Sequence, residues 1–311
     1  MTGVSIHQYF GEIAHIARNI QFLAIPSATI DTEEKKQVLK SIDYYCPILG
    51  IPTKNPSSVE LKQSYEKWEN PNKPRLEAPT IVIMLPGDAP NQNKEMCLFT
   101  EESALKLFDC VKALWQDLGM GHKIIVENGP RTGKHLFDSP DNTHSYKKGE
   151  DPDIAVDKIS SYFMRLLKAE GIEHIFYNFA FEIDPATGIK TSNSLYNPLL
   201  HLSAENKQNY FIVPGESVSM LSQIPLYLAP KHVVVFKPSS MNEQHESIFG
   251  KVFTEGHLSY FDQYSHVILP DAPVQMTNDD AANVVSYLIK SHDDFVRHLG
   301  DSSADQFAEV A

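Results

Sequence analysis

The feature that most constrains the fold of this chain is an alternation of short apolar runs with amphipathic helical patterns. The runs are rich in β-branched side chains, which is typical of strands buried on both faces of a sheet. Strands that alternate with helices predict an α/β fold with a right-handed, doubly wound, mostly parallel sheet. The predicted strands are Thr80–Leu85, Lys123–Val126, Ile175–Asn178, Tyr210–Val213 and Val233–Phe236, with a sixth at His266–Leu269.

The helical patterns lie between these strands. Thr100 is a hydroxyl cap before two acids, and Leu107, Val111 and Leu114 continue as one apolar stripe that stops at Gly119. Further helices are predicted around Ile159–Leu167 and at Asn197–Leu202, Val218–Leu228, Glu243–Thr254 and Asp279–Leu299.

A chain of 311 residues is natural for two domains. The segment Pro56–Pro79 is polar, contains four prolines and has almost no apolar periodicity, which predicts an exposed linker. We therefore predict a short N-terminal α/β part with the linker at residues 1–72, and a Rossmann-like domain at residues 73–311. The N-terminal part is predicted to contain helices at Ile6–Arg18 and Thr32–Ser41 and strands at Ile20–Ile25 and Ile42–Ile48.

Net charge and cysteine usage exclude several classes of function. The formal charge of −13 gives no general attraction for nucleic acid or for an anionic bilayer, so an anionic ligand needs a local site. Three cysteines without a CxxC spacing form neither a disulfide framework nor a cysteine zinc site and indicate a cytoplasmic location. No apolar run is long enough to predict an integral membrane segment.

A turn with two cations follows the second predicted strand, at Asn128–His135. Its glycine spacing departs from that of a Walker phosphate loop, and no Ser or Thr follows Lys134 to hold magnesium. Arg131 and Lys134 are suited to a pyrophosphate, because Arg offers a forked donor set and Lys a point charge. The alternative is a solvated turn with two surface cations.

A second candidate loop follows the fourth predicted strand. Gly215 permits a tight turn before a helix that begins near Val218, with Ser217 and Ser219 beside its first amides. Free amides and the helix dipole favour an anion there. The alternative is that Ser217 is only an N-cap.

Other chemistries have less support in the sequence. The thirteen histidines form no HxxxH or HExxH pair, so we predict no metal site. No GxGxxG follows any predicted strand, which argues against a Rossmann oxidoreductase, and no cofactor is predicted.

The order of these motifs resembles the mitochondrial-fission family of the elongated-mitochondria type, which is similar to nucleotide-sugar glycosyltransferases of the two-domain B-type fold. The resemblance covers roughly residues 78–262. It rests on Gly129–Thr132, on the serine-rich motif Gly215–Gln223, on the strand His232–Phe236 and on the spacing of Phe249, Phe253, Gly256 and Phe261.

The resemblance implies two Rossmann-like domains that face a cleft, with the last helix packing back toward the N-terminal part. It implies that Arg131 binds phosphate and that Ser217 and Ser219 bind at the helix start. Two positions depart from the family pattern: Glu216 stands where Asp is common, and Gln223 stands where Glu is common. In the B-type transferases that Glu accepts hydrogen bonds from ribose hydroxyls, and an uncharged Gln would hold them more weakly.

The sequence thus predicts a glycosyltransferase-like protein that binds a nucleotide diphosphate or a nucleotide sugar. The predicted ligand-binding residues are Arg131, Lys134, Gly215, Glu216, Ser217, Ser219 and Gln223. No motif identifies the catalytic residue; His7 and His15 lie in the N-terminal part that would supply a base. The alternative is a non-catalytic interaction or membrane-remodelling factor on the same fold.

Overall fold

A computed structural model describes residues 23–26, 45–48, 55–91, 93–134, 145–148 and 154–277. The chain divides into two compact units, residues 53–276 and residues 1–52 together with 277–311. In the second of these, β1 (Leu23–Pro26) and β2 (Tyr45–Ile48) form a parallel pair. Residues 53–72 fall in the larger unit, whereas the sequence placed them in the N-terminal part.

The larger unit contains a seven-stranded sheet. In spatial order its strands are β14 (Val267–Ile268), β13 (Ser259–Phe261), β12 (Val233–Phe236), β11 (Tyr210–Pro214), β3 (Thr80–Met84), β6 (Lys123–Glu127) and β8 (His174–Tyr177). All neighbours pair in parallel except β13 and β14. Two small sheets accompany it: β4 (Ala89–Pro90) with β5 (Met96–Cys97), and β7 (Ser145–Lys147), β9 (Phe181–Ile183) and β10 (Lys190–Ser192).

The helices of the described residues alternate with the strands of the large sheet. They are α1 (Ser58–Lys67), α2 (Glu101–Asp117), α3 (Lys158–Ala169), α4 (Tyr196–Glu205), α5 (Val218–Gln223) and α6 (Glu243–Thr254). Single 3₁₀ turns occupy Ile224–Leu226 and Pro230–His232.

The prediction of a mostly parallel α/β sheet is confirmed, and each of the five central strands was found at its predicted place. The helices predicted after Thr100, around residues 159–167, at 197–202 and at 243–254 are also present. The sixth predicted strand, His266–Leu269, is shorter: β14 has two residues and runs antiparallel to β13.

The strand order fixes the position of a ligand crevice. Numbered along the chain, the six parallel strands β3, β6, β8, β11, β12 and β13 lie in the order 3-2-1-4-5-6 of doubly wound nucleotide-binding sheets. After β3 the chain adds β6 and β8 toward one edge of the sheet. It then returns to place β11 on the other side of β3. In such sheets ligands bind at this reversal, outside the carboxyl ends of the strands.

Helices cover both faces of the sheet. On one face Ile81, Ile83 and Val126 belong to an apolar cluster with the buried stripes of α2 and α3. On the other face α4 packs on β3 and β11, and α1 packs on α4. Burial on both faces explains why these strands are continuously apolar.

The prediction that Pro56–Pro79 is an exposed linker is wrong. Ser57 and Glu60 form a reciprocal capping box that starts α1. Leu61, Tyr65 and Trp68 of this segment are buried. The three side chains are separated by three and four positions, a helical spacing that the surrounding polar residues and prolines obscured.

The helix predicted at Val218–Leu228 is also shorter than expected. The α-helix ends at Gln223, and Pro225 lies in the 3₁₀ turn that follows. Proline cannot donate a backbone hydrogen bond, so it does not continue an α-helix. The helices predicted at residues 6–18, 32–41 and 279–299 lie outside the described residues.

We predict that the α2 stripe is essential to stability. Leu107 and Leu114 are buried, whereas Leu105 of the same helix is 39% exposed. Leu107→Ala or Leu114→Ala should lower the free energy of unfolding by about 2–5 kcal/mol, because each leaves a cavity in the core. Leu105→Ala should change it by less than about 0.5 kcal/mol. Urea denaturation measures all three variants, and equal small losses would contradict the packing.

Candidate functional site

The turn that carries Arg131 is held rigidly at the carboxyl end of β6. The Thr132 hydroxyl oxygen accepts the N–H of Gly129 at 2.9 Å. Gly133 has a φ of +64°, and a Cβ there would lie 2.6 Å from Asp157 Oδ1. Asp157 itself caps α3 by accepting the Ser160 N–H at 2.7 Å. The turn is therefore fixed between the end of one strand and the start of the next helix.

Arg131 lies next to the loop that leaves β3. Its carbonyl accepts the N–H of Asp88 at 3.1 Å, and a Cβ at Gly87 would lie 2.8 Å from Arg131 Cβ. Only glycine at position 87 allows the two loops to approach so closely. The Arg131 side chain is exposed and forms no hydrogen bond or ion pair with any residue that the structure describes. It is a positioned cation at the crevice of the sheet.

Glu216 lies in the loop after β11. In the sheet β11 pairs with one side of β3, and β6, which precedes the Arg131 turn, pairs with the other. Its Oε1 accepts the N–H of Gly87 at 2.7 Å, so one carboxyl joins the loops that leave the two strands. The carboxyl is buried, and its Oε2 has no hydrogen-bond partner within the described residues. Burial raises the pKa of Glu216 to about 7, although the Arg131 guanidinium opposes the rise.

The start of α6 contributes a neutral histidine. The side chain of Asn242 accepts the N–H of His245, whose Nδ1 accepts the N–H of Asn242 in return at 3.2 Å. Burial and, second, the charge of Arg131 lower the pKa of His245 to about 4. His245 therefore stays uncharged at neutral pH and faces the same guanidinium as Glu216.

The remaining predicted residues differ in their surroundings. Lys134 is half-buried, Gly215 is buried and donates its N–H to the Phe236 carbonyl at 2.9 Å, and Ser219 is exposed. Ser217 occupies the N-cap of α5, but its hydroxyl caps no amide of this six-residue helix. Gln223 donates from its side-chain amide to Asn55 Oδ1 at 3.3 Å.

The structure adds a buried carboxyl that the sequence reasoning missed. Glu127 ends β6 with 1% of its surface exposed, and its Oε1 accepts the N–H of Leu195 at 2.8 Å. Burial raises its pKa to about 7. A charged residue that ends an otherwise apolar buried strand was the signal available in the sequence.

A groove of about 360 Å³ lies elsewhere, at the carboxyl ends of β12 and β13. It contains none of the predicted ligand-binding residues. Two of its functional groups already have partners: Lys237 pairs with Glu246 at 2.9 Å, and the Cys110 thiol donates to the Ser265 hydroxyl. The exposed guanidinium of Arg131, which has no partner in the part of the chain described, makes the β3–β11 crevice the stronger candidate.

The described ranges contain neither a metal-binding cluster nor a membrane-spanning helix. No three His, Cys, Asp or Glu residues there lie close enough together to hold a metal ion. No helix among those residues has the length and apolar character needed to cross a membrane.

Comparisons with known proteins add no relative. No family model matches the chain, and neither the curated proteins nor the solved structures yield a match. The function is therefore argued from the residues of the crevice.

The raised pKa of Glu216 predicts a pH-dependent stability. The folded chain holds this proton more tightly than the unfolded chain, where the pKa is 4.5. The stabilisation of the folded chain by this proton is complete below pH 4.5 and is lost as the pH rises through 7. When the pH is raised from 5 to 8, the free energy of unfolding of wild type should fall by about 2–3 kcal/mol more than that of the Glu216→Gln variant.

Chemical denaturation at the two pH values measures this difference. The control is Glu69→Gln, because Glu69 is exposed and its loss should leave the wild-type pH dependence intact. Equal pH dependence in Glu216→Gln and wild type would show that the Glu216 carboxyl is not protonated in the folded chain near neutral pH.

Proposed function

We propose that the unit of residues 53–276 binds a nucleotide diphosphate or a nucleotide sugar at the carboxyl ends of β3 and β11. The observation that carries the proposal is the guanidinium of Arg131, which is exposed and has no hydrogen-bond or ion-pair partner among the described residues, beside the reversal of strand order. On a chain with a net charge of −13, an exposed cation at this place offers an anion a local site that the overall charge does not.

The geometry around Arg131 suits a diphosphate. A guanidinium can donate two parallel hydrogen bonds to phosphate oxygens. Lys134 lies three residues further along the same turn and would add a second positive charge. Gly87 lets the turn that carries Arg131 approach the loop after β3 closely, which holds that turn beside the end of β3.

The finer proposal is a glycosyltransferase-like protein of the mitochondrial-fission family type, in which this unit holds the donor. The two-domain B-type arrangement belongs to the same proposal. In it Arg131 and Lys134 would neutralise the departing diphosphate, and residues Gly215 to Ser219 would line the same ligand. Protonated Glu216 would sit beside the diphosphate without repelling it.

A second candidate is a non-catalytic interaction or membrane-remodelling factor that retains the fold. The observation that favours it is Gln223, whose NH2 group donates to Asn55 and whose uncharged amide oxygen would accept ribose hydroxyls more weakly than the Glu of the transferase pattern. The candidates differ in turnover: a transferase or a slow hydrolase releases UDP or GDP from the corresponding nucleotide sugar over time, and a non-catalytic factor leaves it intact.

Titration calorimetry with UDP and GDP tests binding. We expect wild type to bind at least one of them and Arg131→Ala to bind roughly 10- to 150-fold more weakly, since a charged hydrogen-bond donor contributes about 1.5–3 kcal/mol. Ser217→Ala should have a smaller effect, because the backbone donors remain. Arg165→Ala, which removes an exposed arginine on α3, is the matched control and should bind as wild type does.

Two results would refute the proposed site. One is the absence of binding to wild type at millimolar nucleotide. The other is equal affinity of Arg131→Ala and wild type at the same ionic strength.

A further inference from the structure

The carboxyl of Glu216 is placed where a bound diphosphate would change its charge. It is buried at the end of β11 and holds one hydrogen bond from another residue, to the N–H of Gly87. Its second oxygen has no partner in the part of the chain that the structure describes. An ionised carboxylate can accept about four hydrogen bonds, so this environment satisfies the anion poorly and favours the neutral acid.

The charges that face Glu216 come from two loops, and a neutral group completes the surroundings. Arg131, from the turn after β6, favours the ionised form, and Asp88, from the loop after β3, disfavours it. The N–H groups of Gly87 and of Glu216 itself also favour the anion. His245, at the start of α6, is uncharged at neutral pH and faces Arg131.

With these influences opposed, burial holds the pKa of Glu216 near 7. The carboxyl is therefore partly protonated in the physiological range. A ligand that draws the Arg131 charge to itself removes the favourable influence on the anion, and its own negative charge adds repulsion. Both changes act in the same direction, toward protonation.

We propose that Glu216 takes up a proton when a diphosphate binds beside Arg131, so that binding of the ligand is tightest on the acidic side of neutrality. This inference rests on the proposed function, because it concerns the same ligand and the same crevice. It links the binding of the anion to the protonation of Glu216. The neutral carboxyl permits the diphosphate to bind, and the ionised carboxylate weakens its binding.

The chain provides a matched control in Glu127. Its carboxyl is buried to the same degree and has a pKa raised to about 7 by the same cause. Its hydrogen bonds come from Leu195 and Ser194, and Arg131 is not among the groups that shift its pKa. Glu127→Gln thus removes an equivalent buried acid without touching the proposed linkage.

The experiment is titration calorimetry with UDP-glucose and GDP-mannose at pH 6, 7 and 8, each in two buffers of different ionisation enthalpy. Both phosphates of a nucleotide sugar are esterified, so the charge of the ligand is constant over this range. The difference between the two buffers gives the number of protons taken up on binding.

We expect the Kd of wild type to rise with pH above neutrality, approaching about tenfold per pH unit, with proton uptake approaching about one per ligand. Glu216→Gln should bind with a Kd independent of pH and take up no proton. Glu127→Gln should behave as wild type does. Proton uptake by wild type needs no variant, so the test survives if Glu216→Gln fails to fold.

The possible failures are distinguishable. Binding by wild type with a constant Kd and no proton uptake would overturn the linkage and leave the nucleotide site intact. Proton uptake that persists in Glu216→Gln, or is lost in Glu127→Gln, would assign the proton to another group and also overturn it. Absence of binding to either nucleotide sugar at every pH would overturn the proposed function together with the linkage.

Discussion

The pairing of β3 with both β6 and β11 is the constraint on which the rest of the structure depends. All five residues of β3 are buried, and its two neighbours belong to opposite halves of the chain. Because parallel strands require crossovers, α2 and α3 cover one face of the sheet while α4 covers the other. In sheets of this strand order the ligand crevice lies at the reversal, outside the carboxyl ends of β3 and β11.

Polar groups accumulate at this crevice because the apolar strands end there. Glu216 reaches across to the N–H of Gly87, a residue 129 positions earlier in the chain, and so ties the two loops together. Gly87 in turn packs against Arg131 with no room for a side chain. The loops after three adjacent strands thus bring together one buried carboxyl, one glycine and one exposed cation. These three residues are distant in sequence.

The same arrangement explains why the crevice is suited to an anion despite the acidic chain. Arg131 keeps its charge exposed, while burial disfavours the anionic form of Glu216. A diphosphate would meet the exposed guanidinium of Arg131 and a carboxyl that can become neutral. These groups are the physical basis of the proposed nucleotide site.

The amino-acid sequence by itself determined the positions of the central strands and of most helices, because continuous β-branched runs and three-to-four spacings reflect burial directly. It also indicated Arg131 and the loop at Gly215. It did not reveal α1, whose few buried residues stand among prolines and charges. Only the tertiary structure decided the strand order, the contact of Gly87 with Arg131 and the burial of Glu216 and Glu127. Those depend on which strands pair, and pairing between distant segments leaves no periodicity in the local sequence.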